Sequence, residues 1–253
     1  MGKHGQYGAL VAVLAAALSA GPAGAGCRLA LALGFDVSRS ISSRDYRIQQ
    51  GGIVAALTDP AIRAAFLAGP DPVALAIFEW SGSAEQAVVL DWTVLAGEAE
   101  IDHAAGVMAA HVRRASGLTA LGVSLTYAGD LMARAPVCDA QTLDLSGDGQ
   151  SNAGMKPHRV YAARDFGALT VNALAITGED RDLARYFASQ VIRGPGAFVE
   201  VADGHEDFPR AFRRKLEREL SGPVLGATPT APDASAAVPL MISTVRSGFH
   251  ACA

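Results

Sequence analysis

Apolar strand-like runs alternating with amphipathic helical segments predict an α/β fold. The expected form is a doubly wound, mostly parallel six-stranded sheet with one antiparallel edge strand and helices on both faces. Two further observations sharpen this. The runs at 72–80 and 85–95 are separated by too few residues for a crossover helix, so they form an antiparallel hairpin. Several apolar runs also end in carboxylates and hydroxyls, at the strand ends where the loops of an open α/β sheet form a ligand crevice.

The first strand is "CRLALALGF", residues 27–35. A helix follows from Ser42 or Ser43, either of which can cap it, and Asp59-Pro60 opens a second short helix. Gly51-Gly52 weakens the first helix by about 1 kcal/mol per glycine relative to Ala. After the hairpin, Glu98 to Arg114 reads as helix, and Leu121, Leu125, Ala128 and Met132 recur at helical spacing behind Thr119. "AQTLDLSGDG" (140–149) is a strand entering a Gly-rich loop, 158–167 a helix ending at Gly167, and 169–176 a strand. Residues 179–192 read as helix and 197–202 as the last strand. A closing helix sets Phe208, Phe212, Leu216 and Leu220 on one face.

The domain is expected over 26–220, with 221–253 an Ala/Pro/Ser-rich flexible tail. Residues 1–25 read as a secretory signal peptide: a basic start at Lys3, an apolar run from Ala9 to Ala20, and an Ala23-Gly24-Ala25 cleavage pattern. The run falls short of the roughly 20 residues a membrane span needs, so no membrane insertion is expected after cleavage. Ala25-Gly26-Cys27 also suits a lipid-anchoring signal, but Gly24 stands where Leu is expected. The protein is therefore expected to be exported, periplasmic or extracellular. Losing Lys3 takes the net charge from −4 to −5, and no long run of Lys or Arg offers a nucleic-acid footprint.

The chemistry lies in "FDVSRS". Asp36, Ser38 and Ser40 leave the first strand at alternate positions, so in extended backbone their oxygens converge. Asp148 leaves a later strand at the corresponding end, and Thr119 opens a helix after a Gly-containing loop. Oxygen donors of which only two are charged suit a hard divalent cation, Mg2+ with Mn2+ as the alternative. The rival reading is a capping stretch and a plain turn; the ordered combination favours metal.

At these residues the chain resembles the von Willebrand factor A-like domains. Their metal-ion-dependent adhesion site is built from Asp-x-Ser-x-Ser, a Thr and a later Asp. The resemblance implies Asp36, Ser38, Ser40, Thr119 and Asp148 as metal ligands, with the first strand between the second and fourth. "FEWSG", "DLSGDGQSN" and "RGPGAFVEV" further resemble a secreted bacterial branch of this family that has no assigned role. Arg39 and Leu118 depart from the usual pattern and bear on the rim. With those strands as neighbours, Cys27 and Cys138 lie nine and ten residues before Asp36 and Asp148, and a disulfide between them is expected, with Cys252 spare.

Three weaker signals adjoin the site. Glu79, ending the second strand, is either an outer contact of the metal or a solvated loop residue. Asn152 either braces the Asp148 loop or is simply a turn residue. "GQSNA" lacks the last Gly of a hydrolase nucleophile elbow. The six histidines have no paired ligand spacing, which disfavours zinc and makes them surface residues. "RRKLERE" reads as a solvated helix face.

The expected function is metal-dependent protein binding. Two carboxylates at most match the ion's charge, so Mg2+ remains attractive to an exposed Asp or Glu of a partner protein, and Arg39 adds to that attraction. No general base or activated nucleophile accompanies the site, so no catalysis is expected. Two alternatives stand: a haloacid-dehalogenase-like Mg2+-dependent phosphatase, which would need an Asp where Ser38 stands, and a structural domain with a vacant site.

Overall fold

The computed structural model describes residues 26–221. The stretches expected to be a signal peptide (1–25) and a tail (222–253, with Cys252) lie outside the described residues. In chain order the elements are β1 (Cys27–Asp36), α1 (Ser43–Thr58), α2 (Pro60–Phe66), β2 (Val73–Trp80), β3 (Gln86–Leu95), α3 (Glu98–Ala110), α4 (Leu121–Met132), β4 (Cys138–Gly147), α5 (Pro157–Ala163), β5 (Thr170–Ile176), α6 (Leu183–Gln190), β6 (Val199–Ala202) and α7 (Phe208–Leu220).

The six strands lie in the order β3-β2-β1-β4-β5-β6. β1 pairs in parallel with both β2 and β4, and β3 is the antiparallel edge strand. The chain therefore leaves β1 at the point where strand order reverses, as the family resemblance implies.

Side-chain alternation along β1 divides the core. Leu29, Leu31, Leu33 and Phe35 pack under α1, α3 and α7, whereas Ala30 and Ala32 face α4 and α6 with Phe78, Trp80, Leu143 and Leu145. The alanines and Gly34 are needed on the second face: a Cβ at Gly34 would stand 2.3 Å from Phe78 Cζ. Ser42 caps α1 in a capping box with Asp45, and Asp59 caps α2 ahead of Pro60. Gly52 makes room for α7, since a Cβ there would meet Phe208 and Pro209 at 3.1 Å. That packing offsets the helix cost expected of the glycine.

Cys27 and Cys138 sit opposite each other in the β1–β4 ladder and form the expected disulfide, with Cα atoms 4.3 Å apart.

Several expected helices are shorter. α3 stops at Ala110 and residues 111–120 run as irregular chain, because Glu79 and nearby carbonyls claim the 111–114 segment. α5 ends at Ala163, three residues before a turn in which Gly167 takes φ +54°. α6 begins only at Leu183, because the Asp180 carboxylate accepts the Asp182 amide and holds a turn.

The largest correction concerns α7. Lys215 is fully buried, not on a solvated face. Its ammonium lies 2.6 Å from both Asp144 on β4 and Glu219 one turn on, with both carboxylates buried. Asn172 Nδ2 also donates to Glu219. Burial first, and repulsion from Glu219 next, raise the Asp144 carboxyl to about 7 against the opposing pull of Lys215.

Candidate metal centre

The carboxyl end of β1 delivers Asp36 into a fully buried position between the ends of β2 and β4. One of its oxygens, Oδ1, accepts the Ser38 amide at 2.6 Å. The other, Oδ2, is buried with no hydrogen-bond partner. Burial pushes this carboxyl up to about 7, and the Asp148 charge adds to the rise, while the Ser38 hydroxyl and the Ser38 and Asp148 amides oppose it.

The hydroxyls complete a chain around it. Thr119 Oγ1 lies 3.4 Å from Ser38 Oγ, which lies 3.1 Å from Ser40 Oγ, which donates to Asp148 Oδ1 at 2.8 Å. The five side chains singled out in the sequence are thus brought together from three loops. Ser38 and Thr119 are buried, whereas Ser40 and Arg39 are exposed, so the cluster is open on one side. Among the described residues no three His, Cys, Asp or Glu side chains gather into a group able to hold a metal ion. Any ion here must draw on the hydroxyls. That donor set, with one buried carboxylate oxygen lacking a partner, suits a hard divalent cation that keeps some of its water.

Residues beyond the motif hold the loops. Arg113 donates from its guanidinium to the carbonyls of Val37, Ser38, Ile41 and Ala115, fixing the Asp36–Ser40 loop against the segment after α3. Arg39 N donates to Gly117 O. Asn152 Oδ1 accepts the Thr119 amide while its own amide donates to Thr119 O, so it ties the Thr119 loop to the Asp148 loop. Thr119 itself precedes α4, whose N-cap is Ala120.

Glu79 is neither solvated nor drawn to the cluster. It is fully buried, with Oε2 2.9 Å from His111 Nε2 and Oε1 accepting the Arg114 amide at 3.0 Å. It acts on the loop at one remove, by pinning the residues on either side of Arg113.

Two histidines are misread as surface residues in the sequence. His111 is 7% exposed beside Glu79, and His205 is 18% exposed with Nε2 3.6 Å from Asp148 Oδ2. No local pattern marks either one, because their partners lie 32 and 57 residues away in the chain.

A family model covers residues 26–224. The chain belongs to the family described as a protein of unknown function, DUF1194. None of the curated proteins matches it. Among solved structures, it is similar to proximal thread matrix protein 1 from the mussel byssus "with zinc occupied MIDAS motif", at 16% identity and TM-score 0.56 over 78% of this chain and 46% of that one. A von Willebrand factor type A protein from Catenulispora acidiphila matches at 17% identity and TM-score 0.56, over 77% and 43%. The pilus adhesin SpaC from Lactobacillus rhamnosus GG matches at 12% and 0.54, over 77% and 30%. This chain spans less than half the length of each. At these identities the likeness is one of fold, and the fold is of the von Willebrand factor A type. Among the described residues no helix is long and apolar enough to cross a membrane.

Proposed function

We propose that this domain is an exported protein-binding module that works through a divalent cation. Asp36, Ser38, Ser40, Thr119 and Asp148 would hold the ion, Mg2+ or Mn2+, directly or through water. When bound, the ion supplies an electrophilic position for an Asp or Glu of a partner protein. Arg39, exposed beside the serines, attracts the same acidic group. Arg113 and Asn152 keep the three loops in register before the ion arrives, which lowers the ordering cost of binding.

The observation that carries this reading is the buried, partnerless Asp36 Oδ2 at the centre of converging hydroxyls. A buried carboxylate oxygen without a donor costs stability, and a cation at that point removes the cost. Support for the protein-binding half comes from the fold neighbours, one a pilus adhesin and one a matrix protein described with a zinc-occupied adhesion motif. A disulfide in the fold supports export. The proposed cycle is ligation and release, with no turnover step.

The test is a pull-down from a cell-envelope extract with the full chain as bait, in Mg2+ and again in excess chelator, alongside Thr119→Ala. Capture that needs Mg2+ and is lost in the folded Thr119→Ala variant supports the proposal. Equal capture in chelator overturns it.

A further inference from the structure

We propose that Lys215 and Asp144 condense into an intramolecular amide that ties α7 to β4, with Glu219 carrying the protons. The site shares no residue with the metal cluster and is independent of the reading above.

The three side chains meet where solvent does not reach. Lys215 has no exposure, and the side chains of Asp144 and Glu219 are 2% and 1% exposed. Lys215 Nζ lies 2.6 Å from an oxygen of each carboxylate, but the two contacts differ in kind. Nζ donates a hydrogen bond to Glu219 Oε1, whereas its approach to Asp144 is not aligned as one, and neither Asp144 oxygen has a hydrogen-bond partner. A settled buried ion pair satisfies its carboxylates with the ammonium protons. Here Asp144 stands bare beside a nitrogen, as an acyl carbon stands beside its nucleophile. With a C=O bond of about 1.2 Å, an atom 2.6 Å from the oxygen is less than about 3.9 Å from the carbon. A small side-chain rotation then reaches the roughly 3 to 3.5 Å of an attacking pair.

The surroundings separate the roles of the two acids. Asn172 Nδ2 donates to Glu219 Oε1 at 2.8 Å, and Asn172 Oδ1 accepts the Phe198 amide at 3.1 Å. Glu219 is thereby held in place, with its other oxygen, Oε2, unpartnered and able to move a proton. The Phe198 ring centre lies 5.2 Å from Nζ and helps to keep water out. Burial raises the Asp144 carboxyl to about 7, so its acid form, the one an amine attacks, is available near neutral pH.

The ammonium passes one proton through Glu219 to Asp144. The freed Nζ lone pair then bonds to Asp144 Cγ, and Glu219 takes a second proton from the nitrogen and returns it to the departing hydroxyl. One Nζ–Cγ bond forms, one Cγ–O bond breaks and one water leaves. Two ammonium protons depart in that water, the third stays on the amide nitrogen, and Glu219 ends ionised as it began. No oxidant or cofactor is consumed. The loss of two buried charges and the prior contact of the reacting groups both favour condensation. The ion-pair cluster is the reactant, so a pH-dependent cost of losing Lys215 belongs to the unlinked form.

The experiment is intact-mass spectrometry of the full chain, denatured, reduced and alkylated, for wild type, Lys215→Met, Glu219→Gln and Asp144→Asn. Wild type is expected to weigh one water less than its sequence, counted from the N-terminus found by peptide mapping. Its digest should contain one branched peptide joining Lys215 to Asp144, uncut by trypsin after Lys215. Lys215→Met should show full mass, and Glu219→Gln should be recovered mostly unlinked. Asp144→Asn should link with loss of ammonia and converge on the mass of linked wild type. Wild type at full sequence mass overturns the proposal whether or not any variant folds. Loss of water without a branched peptide, a branch mapping to Glu219, or equal linkage in Glu219→Gln also overturns it.

Discussion

Replacing Lys215 by Met is expected to destabilise the domain by about 3 kcal/mol at pH 8 and by distinctly less at pH 5.5. The side chains have similar volume, so little cavity forms and the loss is electrostatic. Lys215 has no exposure, and the side chains of Asp144 and Glu219 are 2% and 1% exposed, so solvent cannot take the ammonium's place. Breaking a buried ion pair from one side typically costs about 3 to 5 kcal/mol. The lower end applies, because burial already holds the Asp144 carboxyl above the usual carboxylate range, which favours its taking up a proton, and Asn172 still donates to Glu219. Without the ammonium the Asp144 carboxyl is pushed higher still. An acid raised in the folded state imposes no penalty below its unfolded pKa near 4 and an increasing one as pH rises toward the folded value, so the loss must grow with pH. Urea unfolding of both proteins at the two pH values, with m-values compared, measures this. A loss under 1 kcal/mol at pH 8, or a larger loss at pH 5.5 than at pH 8, would refute the reasoning. Replacing Asp144, Lys215 and Glu219 together by Leu, Met and Gln should recover part of the stability.

Removing the disulfide with Cys27→Ser and Cys138→Ser frees a link between residues 111 apart and should cost about 4 to 5 kcal/mol, read as a lower urea midpoint that reductant no longer changes. Gly122→Ala places a Cβ 1.9 Å from Met155 O; forcing the 148–156 loop off α4 should cost about 2 to 3 kcal/mol and weaken the Mg2+-induced melting shift. In chelator, Asp36→Asn should gain stability over wild type as pH rises from 4 to 7, on the order of 2 to 4 kcal/mol, because the wild-type carboxyl is held up at about 7 and its ionisation there opposes folding. Parallel pH-dependent melting curves for the two proteins would contradict that assignment.

The strands were legible because they are near-continuous apolar runs, whereas the placing of β1 between β2 and β4 came from the family resemblance. The hairpin needed only the short Ser81–Glu85 link. Asp36, Ser38 and Ser40 were legible as a spaced triplet, and Thr119 and Asp148 from a helix start and a strand end, but the expected extended backbone is corrected: Ile41 N donates to Ser38 O, so a turn at 38–41 brings the serine hydroxyls round. Lys215 and Glu219 were misread, although a signal was present: with Phe208, Ala211, Phe212, Leu216 and Leu220 they fall on one helical stripe, and the structure buries that stripe whole. Their charge conceals the spacing, because a solvated helix face carries the same residue types. The end of α3 was not legible. Nothing between Glu98 and Arg114 breaks a helix, and the chain departs at His111 because Glu79 offers it a buried partner. Arg113 and His205 were beyond reach for the same reason, since each gains its role from a contact fixed by tertiary structure.

The central claim is that Asp36 and its four neighbours hold a divalent cation, and titration calorimetry of the metal-stripped full chain with Mg2+ tests it most directly. The account predicts one binding event in wild type that is abolished in Asp36→Ala and in Asp148→Ala, while both variants retain the cooperative unfolding of a folded domain. Binding of undiminished affinity in the folded Asp36→Ala variant, or no binding to wild type at millimolar Mg2+, would contradict it.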